Sequence, residues 1–219
     1  MKALVRILFA ALILCIPVIS VLAAENLVSR APDLYTYEFT SSQVLHENNL
    51  SVNEKELGDF FSDYMMGKEK QFTYIADHNE REQGLFNNNE IIIMEKGRNL
   101  LNMLTYVLAA AILISIVALS VMIHFGLREK VRWAYRWSWV LYAAMWLGSA
   151  MVIAMPSLNN WMSKWISEES LGVDSFLLKL ITPEFVKYWL LADIGISLLF
   201  MVLIGSVIWK VSKSKRIFW

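Results

Sequence analysis

Cysteine is almost missing from this chain. The single one, Cys15, has no partner for an intrachain disulfide and rules out a cysteine metal site. Charge is scarce as well: Asp, Glu, Lys and Arg make up 18% of 219 residues, against a hydrophobic content of 57%. A soluble domain of this length carries more charge, so composition points to a membrane protein, and a mean hydropathy of +0.45 agrees. Once the cations beside the apolar runs are set aside no basic face remains, which argues against nucleic acid as a partner. No internal repeat is visible, and polar residues inside the runs are nearly limited to Asn102 and Asp193, which disfavours a transporter or channel.

Four long apolar runs are present, and a bilayer core of about 30 Å needs roughly 20 helical residues to cross it. They divide the chain into a first transmembrane helix (1–24), an extracytoplasmic cap (25–99), a second span (100–125), a cytoplasmic loop (126–132), a third span (133–155), an amphipathic outer loop (156–187), a fourth span (188–209) and a basic cytoplasmic tail (210–219). The expected fold is a mainly α membrane protein of four transmembrane helices with a small α+β extracytoplasmic cap. Sidedness follows from the cations. Lys2, Arg6, Arg128, Lys130, Arg132, Arg136, Lys210, Lys213, Lys215 and Arg216 flank one side of the runs and meet a single acid there, Glu129. Segments 24–99 and 156–187 are acidic in balance. Both termini are therefore expected in the cytoplasm, with the cap outside a cell membrane. The first run, with its small-residue end V-L-A-A, reads as an uncleaved anchor or as a cleavable signal peptide; either places the cap outside.

Within the cap, LYTYEF alternates, with Tyr35, Tyr37 and Phe39 to one side, and predicts a half-buried strand or extended segment. A helix follows, opened by a Ser51–Glu54 capping box, carrying Leu57, Phe60, Phe61, Tyr64 and Met65 on one face, and stopped by Gly67. QFTYI reads as extended and DHNEREQG as exposed loop. Asn87 and Glu90 repeat the capping spacing, and no proline interrupts the chain from there into the second span, so one helix should join cap to bilayer. In the outer loop, Trp161 and Trp165 share a helical face suited to the headgroup layer. FLLKLI forms a further amphipathic turn, and Thr182 with Pro183 opens the fourth span.

FFSDYMMGKEKQF, FNNNEIIIMEKGRNLL and SFLLKLITPEFVKYWL, set in this four-span order, resemble the lipoprotein intramolecular transacylases of bacteria. That resemblance implies transfer of an acyl chain from the glyceryl sn-2 oxygen to the amino group of a lipoprotein's N-terminal cysteine. Such a reaction needs a base and a group to steady the oxyanion. The family is expected to supply two histidines, one in a pattern like E-x-x-H near the start of span two, the other in the outer loop. Here, with Glu90 as the glutamate, Ile93 stands at the first position. Residues 156–187 hold no histidine, and Ile166 lies nearest the second.

The candidate catalytic residues are therefore Glu90, His46 and His78, each with a plain alternative: helix capping for Glu90, a solvated surface for the two histidines. His124 belongs to the cytoplasmic end of span two. Trp161, Trp165, Trp189 and Asp193 are the candidate binding residues, with an interfacial aromatic belt and a snorkelling carboxylate as the alternatives. The Asp77, His78 and Glu80 spacing is too unspecific for a metal site, and no cofactor is expected. Membrane lipid and a lipoprotein substrate are the expected partners. A non-catalytic lipid- or partner-binding protein on the same scaffold is the competing function.

Overall fold

The computed structural model describes residues 2–42, 45, 52–78, 81–154 and 175–213. Its elements are α1 (Lys2–Val28), α2 (Pro32–Ser42), α3 (Glu54–Met66), β1 (Ile75–His78), β2 (Arg81–Gly84), α4 (Asn88–His124), α5 (Arg128–Ala154), α6 (Phe176–Leu180) and α7 (Pro183–Val211). They form two compact units.

The first unit takes Met1–Glu25, Leu104–Val152 and Ile194–Trp219. Leu12 and Ile16 of α1 bury against Ala118 and Met122 of α4, Ala134 and Tyr142 of α5, and Met201 and Ile208 of α7. The pattern is that of a bundle solvated by lipid. Leu113, Leu147 and Leu203 point outward, and only 22% of the apolar window of α4 is buried inside the protein. Several polar groups inside are paired within the protein, as hydrocarbon favours, while Ser115 Oγ and Trp146 Nε1 are buried without a hydrogen-bond partner among the described residues. Ser20 donates to the Ile16 carbonyl, Tyr135 to that of Met201 at 3.0 Å, and the Tyr142 and Ser197 hydroxyls meet at 2.8 Å.

Among the described residues, three helices are long and apolar enough to cross a membrane: Ala3–Val28, Asn88–His124 and Phe185–Val211. The expected third span, 133–155, coincides with α5 but is not among them. Its Trp and Tyr residues and its charged first turns lower its apolar character, although it is helical from Arg128 to Ala154.

The second unit takes Asn26–Met103 and Ile153–Asp193. Its core is aromatic. Phe61 lies 5.4 Å from Tyr35, 5.3 Å from Phe39 and 5.0 Å from Phe72, ring centre to ring centre, and Phe72 lies 4.5 Å from Phe86. Leu57, Met94, Leu177 and Leu180 close it. Seventy-odd residues of cap alone make a marginal core, and α6 supplies the missing apolar side chains. α2 and α3 pack tightly because Gly58 has no side chain; a Cβ there would stand 2.9 Å from the Thr36 amide nitrogen.

Several local expectations need correction. LYTYEF is not a strand but the middle of α2. Pro32 suits the first helical position and Asp33 the positive end of the helix dipole, and Tyr35, Glu38 and Phe39 then share one buried face at i, i+3 and i+4. DHNEREQG is not wholly loop: β1 and β2 pair antiparallel, with Ile75 opposite Gly84 and His78 opposite Arg81. It is the β structure found among the described residues. α3 is capped by Asn53, whose side chain accepts from the Lys55 amide at 2.9 Å, rather than by Ser51, which lies outside the described residues. The apolar face of α3 and its Gly67 stop, at φ 79°, are as expected.

Candidate functional site

Among the described residues, two glutamates are buried in the second unit, and both serve the segment that leads into α7. Glu90 is 1% exposed. Its Oε2 accepts from the Asn87 amide at 2.7 Å, while Asn87 Oδ1 accepts from the Glu90 amide at 2.9 Å. This is the reciprocal capping box that the spacing predicts, and it satisfies two otherwise orphaned donors at the start of α4. The other oxygen reaches further. Glu90 Oε1 accepts from Ser175 Oγ at 2.6 Å and from the Leu177 amide at 2.8 Å. Ser175 Oγ in turn accepts from the Leu178 amide at 3.3 Å, so the carboxylate sits against the start of α6.

Glu38, 2% exposed on α2, does the corresponding work at the other end. Its Oε1 accepts from the Thr182 hydroxyl, and Thr182 Oγ1 accepts from the Phe185 amide at 3.0 Å as the cap of α7. Tyr35 stacks on Phe185 at 5.8 Å, and Tyr37 meets Tyr188 edge-on at 5.6 Å. Residues 175–182 are thus held by one acid at each end and by two buried leucines between.

A third fixed point is Arg98. Its guanidinium lies 4.2 Å over the Tyr64 ring and donates to the Glu69 and Lys70 carbonyls at 3.0 and 3.3 Å. Burial pushes the Tyr64 hydroxyl above its ordinary pKa, and Arg98 offsets part of that rise. Tyr74 is raised too, by burial first and by Glu56 second.

Of the described residues singled out from sequence, Glu90 has its side chain within a polar cluster. Ile93, one turn later on α4, is half-buried. His78 lies in β1 opposite Arg81. His124 ends α4 in the first unit, its ring 5.7 Å from that of Phe125. Asp193 is buried on α7 and Trp189 is half-buried one turn before it. His46, Trp161, Trp165 and Ile166 lie outside the described residues. Among the described residues, the hydrogen-bond partners of Glu90 are Asn87, Ser175 and Leu177. Chemically, each Glu90 oxygen is directed at donors that fix two helix starts. Glu38, Ser175 and Arg98 were not legible as a set, because each acts on a residue remote in sequence. A helical reading of 32–42 is the one signal that brings Glu38 onto the buried face.

No family model matches this chain, nor does any curated protein. Solved structures do. One of the membrane integral lipoprotein intramolecular transacylase Lit from Bacillus cereus, with a histidine replaced by alanine, superposes at a TM-score of 0.74 with 16% identity, covering 99% of this chain and 97% of that one. A second, with the same histidine replaced by arginine, gives 0.72 at 16% identity over 99% and 95%. A third structure of that protein gives 0.67 at 14% identity over the full length of both. The resemblance drawn from the residues therefore stands at the level of architecture: this chain is a membrane protein with the fold of the lipoprotein intramolecular transacylases.

Proposed function

We propose that this protein binds acylated lipid or lipoprotein at the outer leaflet, on a transacylase scaffold, without transferring the acyl chain. One observation carries the reading. Glu90, the acid that the resemblance places beside a histidine, spends both oxygens on the starts of α4 and α6, and Ile93 stands where the base is expected. An isoleucine cannot take a proton from the ammonium of a lipoprotein's N-terminal cysteine, and without that deprotonation the amine does not attack the sn-2 ester. The aromatic and leucine side chains around residues 175–188 suit a diacylglyceryl group. In this reading both termini are cytoplasmic, the cap is outside, and α5 crosses as a fourth span; the lopsided placement of cations supports all three.

The test is expression in a bacterium that lacks such a transacylase, followed by the masses of its lipoprotein N-termini. Unchanged diacylglyceryl forms, together with binding of a diacylglyceryl-cysteine peptide but not its deacylated form by the purified protein, are the expected result. A shift of one acyl chain onto the cysteine nitrogen sinks the non-catalytic reading. The fold match over nearly the whole of both chains favours a second reading, in which acyl transfer is retained and His46 or His78 supplies the base. The same masses decide between them.

A further inference from the structure

We infer that the groove between α5 and α7, at the cation-rich end of the first unit, binds the head group of an anionic phospholipid. The groove has a volume of about 640 Å³, within the range of small-molecule sites, and is lined by Tyr135, Gly205, Ser206, Trp209, Lys210 and Lys213 among others. Its shape is set by a close approach. Tyr135 lies over Gly205, where a Cβ would come within 2.9 Å of the ring, and the phenol donates to the Met201 carbonyl at 3.0 Å. The ring and the half-exposed indole of Trp209 both line the groove.

Four of the cations at this end fall into two sets. Arg132 donates to the Ser212 hydroxyl at 2.9 Å and carbonyl at 2.8 Å, with its guanidinium 4.7 Å over Trp209. Arg128 donates to the Lys213 carbonyl at 3.1 Å. Those arginines are used to satisfy the carbonyl end of α7. Lys210 and Lys213 have no ion pair or side-chain hydrogen bond among the described residues, and both are exposed at the groove. Two ammonium groups without acids, set above an apolar aromatic wall, match a phosphate bearing net negative charge with its acyl chains alongside Trp209 and Val202. A zwitterionic head group would leave that charge unanswered, and a free phosphate would make no use of the wall. This inference does not depend on which face of the membrane the groove occupies, nor on the reading of the cap.

The full-length protein in neutral detergent would be titrated with phosphatidylglycerol, with phosphatidylcholine of the same chains, and with inorganic phosphate, following lipid-bound species by native mass spectrometry and the thermal transition. Phosphatidylglycerol should bind and stabilise, and the other two should do neither. Lys210→Gln with Lys213→Gln should weaken binding about tenfold, since each surface lysine near an anionic lipid contributes modestly. Lys130→Gln removes a cation from the same end without touching the groove and should change binding less than about twofold. Ser206→Trp fills the groove with every charge in place and should abolish binding. Each variant's transition without lipid reports that it is folded. Equal binding of phosphatidylcholine, saturation by inorganic phosphate, a Lys130→Gln loss as large as that of the double variant, or full binding by Ser206→Trp overturns the site.

Discussion

Glu90 Oε1 and Ser175 Oγ stand 2.6 Å apart although 85 residues separate them in the chain. The same carboxylate caps α4 through Asn87 and receives the Leu177 amide, so one side chain joins the start of a long apolar helix to the segment that feeds another. An acid buried to this degree is tolerated only because its hydrogen-bonding capacity is met. Replacing it separates a tether from a catalyst.

Glu90→Ala removes the acceptor for three donors, two of them backbone amides of which that of Leu177 is buried, and should cost about 3–5 kcal/mol in chemical unfolding of the detergent-solubilised protein. Glu90→Gln keeps one acceptor but turns an amide group toward the Asn87 or Leu177 donor, and should cost about 1–3 kcal/mol. Ser175→Ala, which loses one bond and part of the α6 cap, should cost about 1–2 kcal/mol. A Glu90→Ala protein as stable as the parent would show that the carboxylate does not tether.

How far these features were legible depends on how local they are. The Asn87–Glu90 box, the Thr182–Pro183 start of α7 and the Gly67 stop of α3 are contained within four residues each, and spacing alone reveals them. LYTYEF misled because apolar residues at 35, 37 and 39 fit an alternating strand as readily as a helix face. Tyr37 looks like part of that face but meets Tyr188 from another side of α2. The hairpin has only Ile75 and Ala76 as apolar residues, and Ile75 is exposed, so no burial pattern announces it; its ladder continues through the Leu85 amide bonding to the Tyr74 carbonyl at 2.8 Å. Glu38–Thr182 joins residues 144 apart, and nothing in either neighbourhood predicts the pairing.

The α2–α3 contact offers a packing test. Gly58→Ala places a methyl group against the Thr36 backbone, which cannot move without displacing α2. The variant should lose about 1–3 kcal/mol. Gly67→Ala, at φ 79° with nothing within 4 Å, should cost only the left-handed backbone penalty of about 1 kcal/mol. Comparing their thermal transitions separates steric from conformational cost; a Gly58→Ala loss no larger than that of Gly67→Ala would contradict the packing described.

Alkaline pH should loosen the cap. Tyr64 and Tyr74 are both raised from 10.0, because burial disfavours the phenolate. A folded-state pKa above the unfolded value means the unfolded chain loses its protons first. Their contribution to stability is complete below pH 10 and is lost as pH rises through the folded values. Tyrosinate absorbance should show these two groups ionising later than exposed tyrosines, and Tyr64→Phe should flatten the alkaline fall in stability. An unchanged slope in Tyr64→Phe would remove that residue from the account.

Ile93→His restores an ionisable group at the one position where the resemblance expects a base and the structure describes an isoleucine. The family pattern calls for a second histidine in the outer loop, and Ile166 is the nearest position here. Ile93→His alone should therefore leave lipoprotein masses unchanged in a host without a transacylase. Ile93→His combined with Ile166→His is the variant in which an N-acylated product should first be detectable. Full conversion by the single variant would mean that one missing base was the whole obstacle.

The arrangement in the membrane decides whether any of this chemistry can meet a lipoprotein. Ten cations and Glu129 lie before the first apolar run, in or beside the connection of the second and third, and after the fourth; the proposed topology, resting on the positive-inside rule, has those segments in the cytoplasm. Periplasmic-type reporters fused behind residue 60 should therefore be active, and those behind Leu127 and Lys213 inactive. The informative fusion is behind residue 160. α5 is helical from Arg128 to Ala154, with its charges confined to the first turns, and the 18 residues from Trp137 onward carry none. That length is near the minimum for a span. An active reporter at 160 establishes the fourth crossing. A cytosolic one would leave residues 155–182 on the wrong side of the membrane from Glu90 and would break the expected link between the cap and its outer loop.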